Sequence, residues 1–242
     1  MKELITKNYG DIVTVNVDIQ NDFCPGGALG VHQGDQVVSP ANALNAWTRD
    51  NGGHVVFTRD WHPLENNKHF IDNGGPWPVH CVQYEGADPQ ALHGAGLRKD
   101  LVLLPGDALA SKGTSGLDDG YSGFDAVLEQ NGSSLGGFVE DLPLQEQTVG
   151  AAIDRIQKRN IALGRRTAVI VFGIAGDYCV PATAAPMLEQ FNRDDVDVIM
   201  AYDAIRSVDL AKGDGERALH ALYDANALAL SSDEIIRTIR KQ

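Results

Sequence analysis

The feature that most constrains this chain is a repeated alternation of short β-branched apolar runs with longer segments of helical periodicity. Asp11 to Asp18 reads as a strand, because Val13, Val15 and Val17 alternate with Ile12, Thr14 and Asn16 and give both faces β-forming side chains. A helical stretch from about Val38 to Asp50 leads to a second strand, His54 to Thr58. Thr167 to Phe172 is long enough for a buried strand, and a helix is predicted from near Tyr178 to about Asn192. Val196 to Ala201, a helix around Lys212 to Ala225, Ala227 to Leu230 and a last helix from Ser232 continue the pattern. Alternation of this kind implies a mainly parallel sheet covered by helices on both faces, with ligands bound at the carboxyl ends of the strands.

The middle is less regular. Leu64 to Leu97 is rich in Gly, Pro, His and Asn and too long for an ordinary connection, so it is either functional or disordered. Asn131 to Gly137 is glycine- and serine-rich, and Gln145 to Asn160 has the periodicity of an amphipathic surface helix. With no internal repeat and no boundary signal, residues 1–242 read as one domain.

Charge narrows the partners. Acidic residues number 33 against 20 basic, for a formal charge of −13, which argues against nucleic acid and anionic membrane because both are gripped by clustered Lys and Arg. No stretch approaches the ~20 apolar residues needed to cross a bilayer, and Met1 to Gly10 lacks the apolar run of a signal peptide, so the expected location is cytoplasmic. The three cysteines, Cys24, Cys81 and Cys179, form no disulfide framework and fit a reducing compartment.

Two constellations carry chemistry. Asp60 and His62 are two apart at a strand end and share a face if the chain stays extended, while His69 and His80 follow in the long loop. Imidazoles with a carboxylate suit zinc, manganese or iron rather than calcium, although loop histidines bonded to backbone or solvent would look the same. The second constellation is the run Gly173 to Cys179, which passes from a buried strand into a helix and places Cys179 in the first turn. There the helix dipole and free N–H groups favour a thiolate and can hold an oxyanion. A single cysteine so placed is usually a small buried hydrophobe. Asp18, at a strand end, can supply a base, and Lys112, ahead of the glycine-rich stretch Gly113 to Gly123, a positive charge. Taken singly, Asp18 also reads as a turn residue and Lys112 as a solvated lysine.

Together these segments resemble a known family. Asp18-Ile19-Gln20-Asn21-Asp22-Phe23-Cys24, Arg59-Asp60-Trp61-His62-Pro63, His69-Phe70, Trp77-Pro78-Val79-His80-Cys81, Lys112-Gly113, Tyr121-Ser122-Gly123-Phe124 and Gly173-Ile174-Ala175-Gly176-Asp177-Tyr178-Cys179-Val180 occur in the order found in nicotinamidases, which are isochorismatase-like cysteine hydrolases. The resemblance implies a three-layer α/β sandwich around a mainly parallel six-stranded sheet. It implies Cys179 as nucleophile, Asp18 as base and then acid, and Lys112 as the residue holding thiolate and carboxylate together. Asp60, His62 and His80 match the family's metal ligands, and His69 a ligand found in part of it. One divalent ion is expected, zinc first, with iron or manganese as alternatives.

The same resemblance implies an oxyanion hole from the amides of Ala175 and Cys179, shaped by a cis peptide between Ile174 and Ala175. Phe23, Trp77, Tyr121 and Tyr178 match positions lining an aromatic substrate pocket, although simple packing also accounts for Tyr178. The implied reaction is hydrolysis of nicotinamide to nicotinate and ammonia in NAD salvage, with amides such as pyrazinamide as related substrates. Two departures stand out. The stretch between Phe124 and Arg166 is long, so Asn131 to Asn160 is expected to form an extra surface helix or a contact in a homo-oligomer. Gly176 stands where the family has Thr or another small polar residue, which predicts a looser turn before the nucleophile. Three rival readings remain: a family branch acting on isochorismate, N-carbamoyl or ureido substrates, a metal-dependent hydrolase with a structural Cys179, and a ligand-binding sensor.

Overall fold

A computed structural model describes residues 8–86, 88–117, 120–130 and 132–240, so Asn131 and the first seven residues of the Met1 to Gly10 stretch lie outside it. Seven strands form one sheet: β1 (Tyr9–Val17), β2 (His54–Asp60), β3 (Ala108–Lys112), β4 (Val127–Leu128), β5 (Arg166–Ile174), β6 (Val196–Arg206) and β7 (Leu228–Leu230). Their order is β4-β3-β2-β1-β5-β6-β7. Six strands run parallel, as the alternation predicts. The seventh, β4, is a two-residue antiparallel edge on β3, which corrects the expected count of six.

Five α-helices accompany the sheet among the described residues: α1 (Val38–Asp50), α2 (Val149–Ala162), α3 (Cys179–Gln190), α4 (Asp214–Asp224) and α5 (Ser232–Thr238). α1 and α5 pack together on one face, and α2, α3 and α4 cover the other, giving three layers. All nine residues of β1 are buried, as a central strand covered on both faces requires. Thr14 and Asn16 face α1, where the Asn45 amide donates to Asn16 Oδ1 at 2.8 Å and Asn16 Nδ2 donates to Asn45 Oδ1 at 3.0 Å. Those polar groups tolerate burial because each finds a partner.

The segment before Arg166 is not an appendage. α2 is amphipathic as expected, but Val149, Ala152, Ile153 and Ile156 are fully buried against β5 and β1, so it is a layer of the core. Thr148 starts it by accepting from Ala151 N at 3.1 Å. α5 opens with a reciprocal cap in which Ser231 and Glu234 satisfy each other's backbone amides. No described helix is long and apolar enough to cross a membrane.

The chain builds outward from β1 in both directions, to β2 and β3 on one side and to β5, β6 and β7 on the other. The switch therefore falls between β1 and β5, where diverging connections leave a crevice at the carboxyl ends. The long Leu64 to Leu97 stretch folds over that end. His62 N donates to Cys81 O and Gln83 N to His62 O, both at 2.9 Å, while Asn21 N reaches Gly96 O at 2.9 Å and Arg98 N reaches Ile19 O at 2.9 Å.

Candidate active site

Parallel register sets the first pair. Asp60 and Lys112 are direct neighbours at the ends of β2 and β3, so their side chains leave the sheet side by side. Asp18 follows β1 immediately and turns out of the strand at φ +49°. Lys112 Nζ lies 2.8 Å from Asp18 Oδ2, pairs with Asp60 Oδ1, donates to Gly120 O at 2.9 Å and sits 3.5 Å from Cys179 Sγ. Thr58 Oγ1 donates to Asp18 Oδ1 at 2.7 Å. Cys179 is the first residue of α3, as the strand-to-helix reading predicts.

Burial dominates the ionisation of this cluster. Desolvation raises the Asp18 carboxyl above the usual carboxylate range, although Lys112 pulls it down. Desolvation also pushes the Cys179 thiol well up, against the pull of Lys112, and the two carboxylates add to the rise. Burial and the two carboxylates thus work against the thiolate that the helix terminus favours. Burial opposes the charge on Lys112 too, but Asp18 and Asp60 outweigh it and keep the ammonium charged.

Beside Lys112 lies the imidazole cluster. One nitrogen from each of His62, His69 and His80 falls within 4.8 Å of the others, so His69 joins the set. His62 Nδ1 lies 3.0 Å from Gly113 O and His80 Nδ1 2.7 Å from Pro78 O. A carbonyl only accepts, so both Nδ1 atoms carry a proton, and it is the Nε2 atoms that can offer a lone pair to a ligand. Those Nε2 atoms face Asp60 Oδ2, at 3.5 Å from His62 and 3.9 Å from His80. The buried His62 Nε2 has no hydrogen-bond partner among the described residues. Burial holds His80 below its ordinary value, in the neutral form that coordinates. Burial works to raise Asp60, yet Lys112 and the imidazoles hold it well below the carboxylate range. Three clustered imidazoles with the Asp60 carboxylate against two of them fit a divalent ion of the zinc, iron or manganese type. Gly113 is required here: at φ +62° its added Cβ would lie 2.4 Å from His62 Cε1.

One cavity joins the two clusters. Phe23, Trp77, Tyr121 and Tyr178 line it with Cys179, Asp60, His69 and His80, so every aromatic expected at the pocket is there. Trp77 Nε1 donates to Tyr121 OH at 2.8 Å, and the Tyr178 ring meets the edge of Trp77 at 4.9 Å between centroids. The Ile174–Ala175 peptide is cis. Around the turn, Tyr178 N and Val180 N donate to Ala175 O and Gly176 N to Arg206 O, which leaves the amides of Ala175 and Cys179 outside this bonding. Gly176 does not loosen the turn: Ile205 and Ser207 fill its side-chain space, each with an atom 2.6 Å from where a Cβ would stand.

Sequence reasoning missed several contributors. Leu29 and Val208 complete the cavity wall. Asp177 holds the Val208 loop by accepting from Val208 N at 3.0 Å and Asp209 N at 2.8 Å. Gln20 fixes the end of β2, accepting from Asp60 N at 2.8 Å and donating to Asp60 O at 2.9 Å. Gln20 lies in a motif already singled out and Thr58 at the end of a strand already read; Val208 carried no signal, because its position depends on β6 running on to Arg206.

An Isochorismatase domain model matches residues 13–117. The nicotinamidase of Escherichia coli (strain K12) is 32% identical over 229 residues, covering 87% of this chain and 90% of that protein. The chain belongs to the isochorismatase family. Solved members of similar shape include the pyrazinamidase of Pyrococcus horikoshii in complex with zinc, at 30% identity and a TM-score of 0.66, covering 91% of this chain and 99% of that one. Another is PnC1 from L. infantum in complex with nicotinate, at 28% identity and a TM-score of 0.67, covering 95% and 96%. Within this isochorismatase-family chain, the matched segment spans Asp18, Asp60, the three imidazoles and Lys112, while Cys179 lies beyond it.

Proposed function

We propose that this chain hydrolyses nicotinamide to nicotinate and ammonia through a thioester on Cys179, a step of NAD salvage. The observation that carries the reading is one aromatic cavity with Cys179, backed by Lys112 and Asp18, at one end and the imidazole cluster at the other. A catalytic cysteine alone serves many amides; the cluster beside an aromatic slot selects a flat ring with its own donor atom. Asp60, His62, His69 and His80 would hold one divalent ion, which when bound supplies a Lewis-acidic anchor for a pyridine nitrogen. Zinc is the ion we favour, as in the P. horikoshii relative.

The remaining chemistry belongs to side chains of this protein. Phe23, Trp77, Tyr121 and Tyr178 clamp the ring and set the carboxamide carbon against Cys179. Asp18 takes the thiol proton as sulfur attacks, which answers the raised resting thiol: the proton leaves only when the carbonyl is in place. The amides of Ala175 and Cys179 receive the oxyanion. Lys112 keeps sulfur and carboxylate in register, and Asp18 then passes its proton to the departing nitrogen. Water hydrolyses the thioester with Asp18 as base again.

Replacing Cys179 by Ala is expected to abolish ammonia release from nicotinamide while the metal content per chain stays as in the wild type. Full activity in that variant would show that the metal site works alone and that Cys179 is structural. Binding of nicotinamide by the wild type without turnover would mark a sensor, and ammonia release from N-carbamoyl amides in preference to nicotinamide another branch of the family.

A further inference from the structure

In the reaction proposed above, ammonia forms at the bottom of a pocket whose mouth is still filled by the acyl group. Away from the imidazoles and Asp60, the lining of that pocket is Phe23, Leu29, Trp77, Tyr178 and Val208, which offer ammonia little to bond with. Asp18 is wholly buried and Lys112 only 4% exposed, so the leaving nitrogen meets no bulk solvent where it is protonated. A second cavity adjoins the first across Tyr121, which lines both. Lys112, Gly113, Thr114, Gly120, Ser122 and Asp125 line it.

Its lining is more polar. Ser111, Thr114, Ser122, the Gly120 carbonyl and the Asp125 carboxylate belong to it, all groups able to accept a hydrogen bond from ammonia or ammonium. Thr114 and Asp125 are exposed, so it opens to solvent. Ser122 Oγ is buried and has no hydrogen-bond partner among the described residues. Lys112 connects the two ends: the ammonium that lies 3.5 Å from Cys179 Sγ also donates to Gly120 O in the rear cavity wall.

We propose that this rear cavity is the exit for ammonia, used while the acyl group occupies the ring pocket; the proposal rests on the amidase reading. The step is balanced within the first half-reaction. The C–S bond forms, the C–N bond breaks, and the thiol proton reaches the nitrogen through Asp18, so that neutral ammonia departs past Lys112 and Gly120. Water enters only afterwards, for the second half-reaction.

The test plugs the groove in the metal-loaded protein, with Thr114→Trp at its outer opening and Ser122→Leu in its wall. Three readouts are taken: kcat for nicotinamide, the Kd of nicotinamide in the Cys179→Ala background, and acyl-protein by rapid quench and intact mass. Trapped ammonia re-forms the amide, so kcat should fall about tenfold, equivalent to roughly 1.4 kcal/mol on the limiting barrier. Kd should stay unchanged, and acyl-protein should not accumulate. Retention of wild-type kcat in both variants overturns the proposal. So does accumulation of acyl-protein, which would make the groove a water inlet, or a loss of affinity parallel to the loss of kcat, which would mean damage to the ring pocket. Absence of ammonia release from the wild type would instead defeat the amidase reading itself.

Discussion

At Asp18, burial and charge pull in opposite directions, and the balance sets when the nucleophile can be activated. Removal from water raises its carboxyl, Lys112 lowers it, and the outcome is about 6. A base works only when ionised, so activity should be present above that value and be lost as pH falls through it and Asp18 takes up a proton. A pH profile of kcat/KM should therefore show its acid limb above the ordinary carboxylate range; a limb near pH 4 would mean that Asp18 is not the group being titrated. Asp18→Asn keeps the shape but cannot accept the thiol proton, and kcat should drop by roughly 10²–10⁴. Asp18 and Cys179 were legible because a strand end and a strand-to-helix turn are visible as patterns. The height of the Cys179 thiol was not, because it depends on how completely Asp18 and Asp60 share its burial, a tertiary property.

Among the elements, those with long apolar runs were readable and those defined by pairing were not. β1, α1, β2, β5 and α3 lie where their periodicity places them. β3 has only Ala-Leu-Ala-Ser-Lys, a run with little β-forming character, and its existence follows from hydrogen bonding to β2. That pairing is what delivers Lys112 to Asp60, so the role of Lys112 was readable from its motif but its means of arrival was not. α2 shows the reverse. Its amphipathic pattern was plain, yet nothing in the sequence told whether its apolar stripe met the sheet or another molecule. Because Ile153 is fully buried against the sheet, Ile153→Ala should destabilise the fold by about 2–5 kcal/mol. Urea unfolding would measure this, and a loss under about 1 kcal/mol would return α2 to the status of an appendage.

The whole molecule places its site by topology. Alternating strands and helices announce a parallel sheet, but no local pattern says that β5 pairs with β1 rather than extending the row beyond β3. That choice creates the crevice, and the long Leu64 to Leu97 stretch then closes it by carrying three of its aromatic or imidazole walls, His69, Trp77 and His80, over the strand ends. Its donors come from β2, with Asp60 and His62 at its end, and from that covering loop, so a bound ion would tie the sheet to the segment above it. In the unfolded chain these groups are dispersed, and an ion that binds the folded state alone stabilises it by mass action. At a free concentration a hundredfold above Kd the gain is about 2.7 kcal/mol, which for a chain of this length raises Tm by roughly 5–10 °C. Stripping the protein with a chelator should lower Tm by that amount, and adding zinc should restore it in a concentration-dependent way. His62→Ala removes a donor and should abolish the response to zinc, whatever it does to the baseline. A Tm indifferent to metal in the wild type would mean that the imidazole cluster does not bind an ion strongly enough to matter, and with it would go the argument that a pyridine ring is what the pocket selects.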